Sequence, residues 1–168
     1  MKVAIRRQMT IHPEVMDVLN EQIALEMHTS SSYLAMASWC DQRGFVNSKA
    51  FFYKQAEEER GHAMKIFEFV NDAGGASLSP VVAEVNNDFE GLREIYEKSL
   101  DQEIQVTQSV YKCFKKARSV DDFASEVFLQ WFVSEQLEEE DAVRNIIDIF
   151  DLMGDMPLKM VDERLPIA

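Results

Sequence analysis

One segment of the sequence, QAEEERGHAMKIF, places acidic residues and a histidine inside an otherwise apolar helical pattern. Within it, Glu59 falls on the apolar stripe and His62 follows three residues later. Residues three apart on a helix project from the same face, so the carboxylate and the imidazole point toward one place. Burying an unpaired carboxylate is costly, and a bound cation removes that cost. Carboxylate oxygens suit hard cations and imidazole adds affinity for iron or zinc, so the pair indicates a metal site.

The other long helical stripes carry a matching acid. These acids are Glu26, Glu59, Glu103 and Glu139, and each lies near the middle of its helix. They stay on the apolar stripe even when the stripe is drawn one position further round the helix. Because Lys and Arg are absent from these stripes, a cation cluster explains the four carboxylates better than ion pairs do. One Glu from each of two helices plus Glu-x-x-His from the others is the ligand pattern of di-iron carboxylate bundles. The fourth helix departs from this pattern, since it offers Gln136-x-x-Glu139 without a second histidine.

The elements that would hold these residues are helices. The apolar periodicity predicts four long helices and a short fifth one, at about 12–41, 47–74, 90–118, 120–152 and 157–165. The links DQRGFVN and RSVDD are short and predict antiparallel pairs, whereas the link after the second helix is long enough to cross the bundle. The sequence therefore predicts an all-α chain with a single domain over residues 1–168.

Residues beside the predicted site have more than one interpretation. Tyr33 lies two turns from Glu26 on the same face, where it serves either core packing or a hydrogen-bonding or redox role at the metal site. For Trp131 a core position is the better interpretation, with a redox role as the alternative. A solvated helix face accounts for Glu140 and Asp141.

Composition narrows the class of function. The net charge is −13, from 17 basic and 30 acidic residues, which argues against nucleic-acid binding and suits cations. We expect neither a signal peptide nor a membrane span, because no apolar run approaches about 18 residues. Cys40 and Cys113 lack CxxC spacing, which excludes a cysteine-ligated zinc or rubredoxin-type iron site. Two buried core thiols fit a reducing compartment, so we expect a cytoplasmic protein.

At these residues the chain resembles the ferritins of the bacterial non-haem type. The resemblance covers nearly the whole chain and depends on the segments NEQIALEMHTSSSYLAMASWC, QAEEERGHAMKIF, DQEIQVTQSVY and FLQWFVSEQLEEE. It implies a ferritin-like four-helix bundle with one long crossover between the second and third helices and a short C-terminal helix. It also implies a ferroxidase, an iron(II):oxygen oxidoreductase that uses dioxygen or hydrogen peroxide, in a homo-oligomeric shell of 24 chains that stores ferric mineral.

The same resemblance assigns roles to individual residues. It implies a first iron held by Glu26, Glu59 and His62. Glu59 would bridge to a second iron held by Glu103 and Glu139, with Gln136 close by. A third iron site would take its acids from Glu58, Glu135, Glu138 and Glu139. Tyr33 matches the family's tyrosine near the centre.

Two further implications concern haem and iron entry. Bacterioferritins carry a haem-ligating Met within Glu-x-x-His, where this chain has Arg60 and Gly61, so no haem is expected. Asp121, Asp122 and Glu126 are candidates for an acidic threefold pore, and a solvated helix N-terminus explains them equally well.

The sequence is also compatible with two other functions. One is a di-iron carboxylate oxidase or peroxide reductase that acts without storing mineral. The other is a structural bundle or iron buffer without oxidase activity.

Overall fold

Four long helices form the bundle. The computed structural model describes residues 9–166, and all regular secondary structure in that range is helical. The helices are α1 (Pro13–Gln42), α2 (Val46–Asp72), α3 (Leu92–Ser119), α4 (Phe123–Met153) and α5 (Leu158–Asp162). Helix α1 packs against α2, and α3 packs against α4, across the two short links. The predicted fold class is thereby confirmed. None of the described helices combines the length and apolar character needed to cross a bilayer.

The turn before α4 shortens that helix relative to the prediction. Asp121 adopts a left-handed conformation with φ 57°, and Asp122 then caps α4, whose first residue is Phe123. The two carboxylate oxygens of Asp122 accept hydrogen bonds from the backbone N–H of Ser125 at 3.0 Å and of His12 at 2.8 Å. Asp122 is therefore a buried cap that ties the start of α1 to the start of α4, and not a solvated acid.

The long link between α2 and α3 is anchored near both ends of α1. The Asn20 side chain donates to the carbonyl of Ala76 at 3.1 Å and accepts from the N–H of Leu78 at 2.8 Å. At the other end Phe89 packs edge-on against Trp39, with ring centroids 6.3 Å apart. These anchor points on α1 are separated by about 28 Å of helix. The link thus spans the bundle and leaves α2 and α3 parallel.

The hydrophobic core is divided into two clusters by a polar layer. One cluster includes Tyr33, Phe52, Tyr96, Val143 and Ile146, and the other includes Leu19, Ile23, Ile66, Val106 and Phe132. On every long helix the chain passes from one cluster to the other at a buried polar residue: Glu26, Glu59, Glu103 and Gln136. Cys40 belongs to the first cluster and Cys113 to the second, so both thiols are buried as predicted.

Helix α5 supplies the missing cap of α2. Phe45, the N-cap residue of α2, makes no side-chain capping hydrogen bond. Instead, the buried carboxylate of Asp162 accepts from the backbone N–H of Ser48 at 2.8 Å and of Asn47 at 3.1 Å, and from the Ser48 hydroxyl at 2.6 Å. Asparagine 47 in turn donates to the carbonyl of Leu165 at 3.0 Å. Helix α5 and Leu165 after it are thereby fixed to the bundle.

Removing this cap will destabilise the protein. We expect Asp162→Ala to cost roughly 3 kcal/mol, because it leaves buried donors of α2 without an acceptor. That cost lowers the thermal midpoint by about 10 °C in a chain of this size. Differential scanning calorimetry provides the measurement, and Asp155→Ala, an exposed acid before α5, is the control. Equal midpoints for the two variants would show that α5 does not stabilise α2.

Candidate metal centre

The polar layer brings two groups of ligand atoms together. One ligand atom from each of Glu26, Glu59 and His62 lies within 4.8 Å of the others, and the same holds for His62, Glu135 and Glu139. The imidazole belongs to both groups: Nδ1 is 3.5 Å from Glu59 Oε2, and Nε2 is 3.8 Å from Glu135 Oε1. Helices α1, α2 and α4 thus supply acids around one histidine.

Glu103 lies outside both groups and is held by its own partners. Tyr33 donates its hydroxyl to Glu103 Oε1 and lies 3.2 Å from the Ser99 hydroxyl. The Gln136 side-chain amide donates to the other oxygen, Oε2, at 3.2 Å. Of the two interpretations of Tyr33, the hydrogen bond to an acid of the centre is therefore the one observed, on a ring that is also fully buried.

The remaining predicted acids are less enclosed. Glu58 is partly exposed and lies 3.3 Å from the Lys54 ammonium, while Glu138 is exposed on α4. Neither joins the two groups of ligand atoms among the described residues. The Glu58 charge is nevertheless close enough to raise the pKa of Glu59 and of Glu139. Of the three acids implied only for a third site, Glu135 alone contacts the His62 group.

The acids of this layer resist ionisation in the absence of a cation. Burial, reinforced by the neighbouring Glu59, holds the pKa of Glu26 well above its usual value. Burial and the charge of Glu103 do the same to the pKa of Glu59. Burial also raises the pKa of Glu103, although Tyr33 and Gln136 oppose this. For Glu139, burial outweighs the hydrogen bond from Gln55 and raises the pKa to about 7. A divalent cation would reverse all these shifts by stabilising the carboxylates.

Several ligand atoms of the layer have no hydrogen-bond partner in the described structure. They are Glu26 Oε2, both carboxylate oxygens of Glu59, His62 Nδ1 and Gln136 Oε1. Buried polar atoms in native proteins are normally satisfied, so a group of unpartnered atoms calls for a specific explanation. Four oxygens and one imidazole nitrogen form the donor set that suits a divalent first-row cation such as ferrous iron.

Hydrogen-bond donors that orient the acids were not predicted. Gln22 donates to Glu26 Oε1 and Gln55 donates to Glu139 Oε2, each at 2.7 Å. Gln22 lies one turn before Glu26 on the same stripe, and this i,i+4 spacing was the sequence feature that indicated a contact between them. Gln55 carried no such signal, because it contacts an acid on a different helix.

Two interpretations of α4 residues were wrong. Trp131 is 38% exposed and lies over the edge of the site rather than in the core. Its ring meets His62 edge-on at 5.4 Å, and the Lys65 ammonium sits 4.0 Å from its centroid. The Glu140 side chain is only 13% exposed and accepts a hydrogen bond from Thr107 at 2.6 Å, so it does not belong to a solvated face.

The raised pKa of Glu139 predicts how the stability of the metal-free protein depends on pH. Well below pH 4.5, the ordinary pKa of a glutamate, the carboxyl is protonated in the folded and the unfolded chain. As pH rises toward 7, only the unfolded chain loses the proton, so the free energy of unfolding decreases by roughly 3 kcal/mol. Urea unfolding of the metal-free protein between pH 4.5 and 7.5 measures this change.

The matched variants for this prediction are neighbours on α4. Glu139→Gln removes the ionisation and should flatten that part of the pH dependence. Glu138→Gln changes an exposed acid one residue away and should retain it. An equal change in stability between pH 4.5 and pH 7 in the two variants would contradict the assignment to Glu139.

Comparison with known proteins provides the context for this geometry. A family model described as "Ferritin-like domain" matches residues 16–153. The chain is 35% identical to a bacterial non-heme ferritin of Staphylococcus saprophyticus over 145 residues, which cover 86% of this chain and 87% of the relative. It is 36% identical to the protein of the same name from Staphylococcus epidermidis over 142 residues, or 84% of this chain and 86% of the relative.

Solved structures with a similar fold include an open pore ferritin from the archaeon Archaeoglobus fulgidus. It superimposes with a TM-score of 0.90 at 32% identity, over 95% of this chain and 98% of that one. A structure described as a humanized archaeal ferritin gives a TM-score of 0.89 at 31% identity, over 94% and 97% of the two chains.

Proposed function

Because this chain belongs to the ferritin family, we propose that it oxidises ferrous iron and stores the ferric product as mineral inside a shell of its own copies. The observation that carries the proposal is the buried donor set of Glu26, Glu59 and His62, which has unpartnered atoms in the middle of the bundle. Shells of 24 chains, which the family resemblance implies, and a cytoplasmic location, which the two buried thiols favour, are part of the proposal.

Iron is the substrate, and the chain supplies its ligands. Glu26, Glu59 and His62 would hold one ferrous ion. Glu59 has both oxygens free, so it would bridge to a second ion held by Glu139 and Glu103. Glu135 and Glu139, with Glu58 and Glu138 farther toward the surface, would receive a third ion.

The reaction consumes two ferrous ions for each oxidant molecule. Two ferrous ions give two electrons to dioxygen, which takes two protons and leaves as hydrogen peroxide. With hydrogen peroxide as the oxidant, the same two electrons and two protons give two molecules of water. Carboxylates favour the ferric over the ferrous ion because they add negative charge at short distance, and this lowers the barrier to electron loss.

The buried acids also bind protons and release them when iron binds. Without a bound cation, the pKa values of Glu26, Glu59 and Glu139 are raised, so these acids hold their protons more tightly than exposed acids do. Ferrous iron displaces these protons as it binds. Gln22 and Gln55 keep donating to one oxygen of Glu26 and of Glu139, so the other oxygen of each stays directed to the ion.

Aerobic loading with a large excess of ferrous iron tests the storage function. We expect oxidised iron to co-elute in size-exclusion chromatography with an assembly far larger than one 19.3 kDa chain, at many more than three atoms per chain. Iron confined to two or three atoms per chain in a small particle would overturn storage. It would leave a di-iron oxidase or peroxide reductase if iron is still oxidised quickly, and an iron buffer if it is not.

A further inference from the structure

A chain of hydrogen bonds runs from the metal centre to the surface between α3 and α4. The Gln136 side-chain nitrogen lies 3.2 Å from Glu103 Oε2 and 3.3 Å from the Thr107 hydroxyl oxygen. The Thr107 hydroxyl lies 2.6 Å from Glu140 Oε1. The other oxygen of Glu140 accepts from the Arg144 guanidinium, so this acid is fixed at both oxygens. Neither Thr107 nor Glu140 has a role in the proposed function so far.

The charge of Glu140 determines the direction of the two bonds at Thr107. A carboxylate paired with a guanidinium has no proton to donate, so Thr107 must use its single hydroxyl proton toward Glu140. The Thr107 oxygen can then only accept from its remaining neighbour. Gln136 must therefore present its NH₂ group to Thr107, and its carbonyl oxygen must point the other way.

We propose that Thr107 and Glu140 are positioning residues that orient the Gln136 amide so that its carbonyl oxygen faces the metal centre. This inference rests on the proposed function. Gln136 Oε1 is fully buried and has no partner in the described structure, as expected of an atom reserved for a cation or its bound water. The reversed amide would direct N–H groups at the cation and a carbonyl oxygen at two other acceptors, Glu103 and Thr107. Both contacts are repulsive, so Thr107 and the surface acid reinforce the side-chain orientation that the Glu103 carboxylate and its backbone carbonyl, 3.3 Å from the Gln136 nitrogen, also favour.

The test measures binding of Co²⁺, whose visible absorption reports its ligands and which is not consumed by oxidation. Partners that orient metal ligands typically affect affinity by 10–100-fold. We expect Thr107→Val, which keeps the shape but removes the hydroxyl, to weaken Co²⁺ binding at the centre by about 10-fold and to change its absorption band. Thr107→Ser restores the hydroxyl and should bind as the wild type does. Ser134→Ala, an exposed hydroxyl on α4, is the control.

A second pair of variants separates orientation from structural damage. Glu140→Ala removes the carboxylate that accepts the hydroxyl proton of Thr107, while Thr107 itself stays in place. The Thr107 hydroxyl can then also donate to Gln136, so this variant should also weaken Co²⁺ binding. Gln136→Glu replaces the amide with a group that presents an oxygen in either orientation. In that background we expect Thr107→Val to have no further effect on affinity.

The possible results distinguish a failure of the positioning role from a failure of the proposed metal site. Wild-type affinity in both Thr107→Val and Glu140→Ala overturns the positioning role and leaves the proposed function intact. A loss of affinity from Thr107→Val that persists in the Gln136→Glu background also overturns it, because the effect then does not act through the amide. A wild-type protein that binds no Co²⁺ at the centre overturns the proposed metal site and this inference with it.

Discussion

Replacing Glu59 with glutamine will slow the oxidation of ferrous iron by about 100-fold or more while the bundle stays folded. Both oxygens of Glu59 are buried and unpartnered, and one of them lies within 4.8 Å of a ligand atom of Glu26 and of His62. Glutamine has nearly the same shape but offers one neutral oxygen instead of two charged ones, so it can neither bridge two ions nor balance their charge. Stopped-flow absorbance of ferric iron at two ferrous ions per chain measures the initial rate.

The stability of this variant is as informative as its rate. The wild-type protein buries a carboxyl whose pKa is raised by burial and by Glu103, and this opposes folding of the metal-free chain at neutral pH. Metal-free Glu59→Gln should therefore unfold at a temperature at least as high as the wild type at pH 7.5. Glu57→Gln, an exposed acid two residues earlier on α2, is the control and should change neither quantity. Oxidation at the wild-type rate in Glu59→Gln would mean that iron is oxidised elsewhere.

Adding zinc to the metal-free protein will raise its thermal midpoint by about 10 °C at pH 7.5. A ligand present at about 1,000 times its dissociation constant stabilises the folded state by roughly 4 kcal/mol, and each kcal/mol raises the midpoint by about 2–4 °C in a chain of this size. Zinc accepts the same carboxylate and imidazole ligands as ferrous iron but does not change oxidation state. Zinc therefore reports metal binding at the centre without any oxidation of the metal.

Zinc binding should also release protons at pH 6. At that pH Glu139, whose pKa is about 7, is mostly protonated in the metal-free protein and must ionise to bind the cation. Titration calorimetry in two buffers of different ionisation enthalpy gives the number of protons released. We expect Glu139→Gln to release about one proton fewer per chain than Glu138→Gln. Zinc binding without proton release would show that the acids of the polar layer are not its ligands.

The fold and the central acids followed from periodicity. Glu26, Glu59, Glu103 and Glu139 remain central whichever seam of the helix is chosen, so small errors in helix phase did not matter. All four are buried in the structure. The antiparallel pairs followed from short links, and the parallel arrangement of α2 and α3 from one long link.

The contacts that orient the acids did not follow from the sequence. Gln55 reaches Glu139 on α4 rather than Glu59 on its own helix, because the rotation of α2 against α4 decides which acid it meets. Thr107 and Glu140 are 33 residues apart, and their hydrogen bond also depends on how α3 and α4 are rotated. The capping role of Asp122 was not predicted beside its two interpretations, a pore acid or a solvated helix N-terminus, because the turn that buries it depends on the left-handed backbone of Asp121.

The division of the apolar core has a consequence for how such a chain can change over generations. Each end of the bundle has its own cluster of apolar side chains, and the acids between them oppose folding until a cation arrives. The apolar ends therefore supply the stability, and the acids of the middle layer supply the ligands at a cost in stability. A gene copy that lost its ligands one by one would still encode a chain that folds, because each loss removes a group that opposes folding. Each new acid in the middle layer would need stability from the apolar ends until a cation binds.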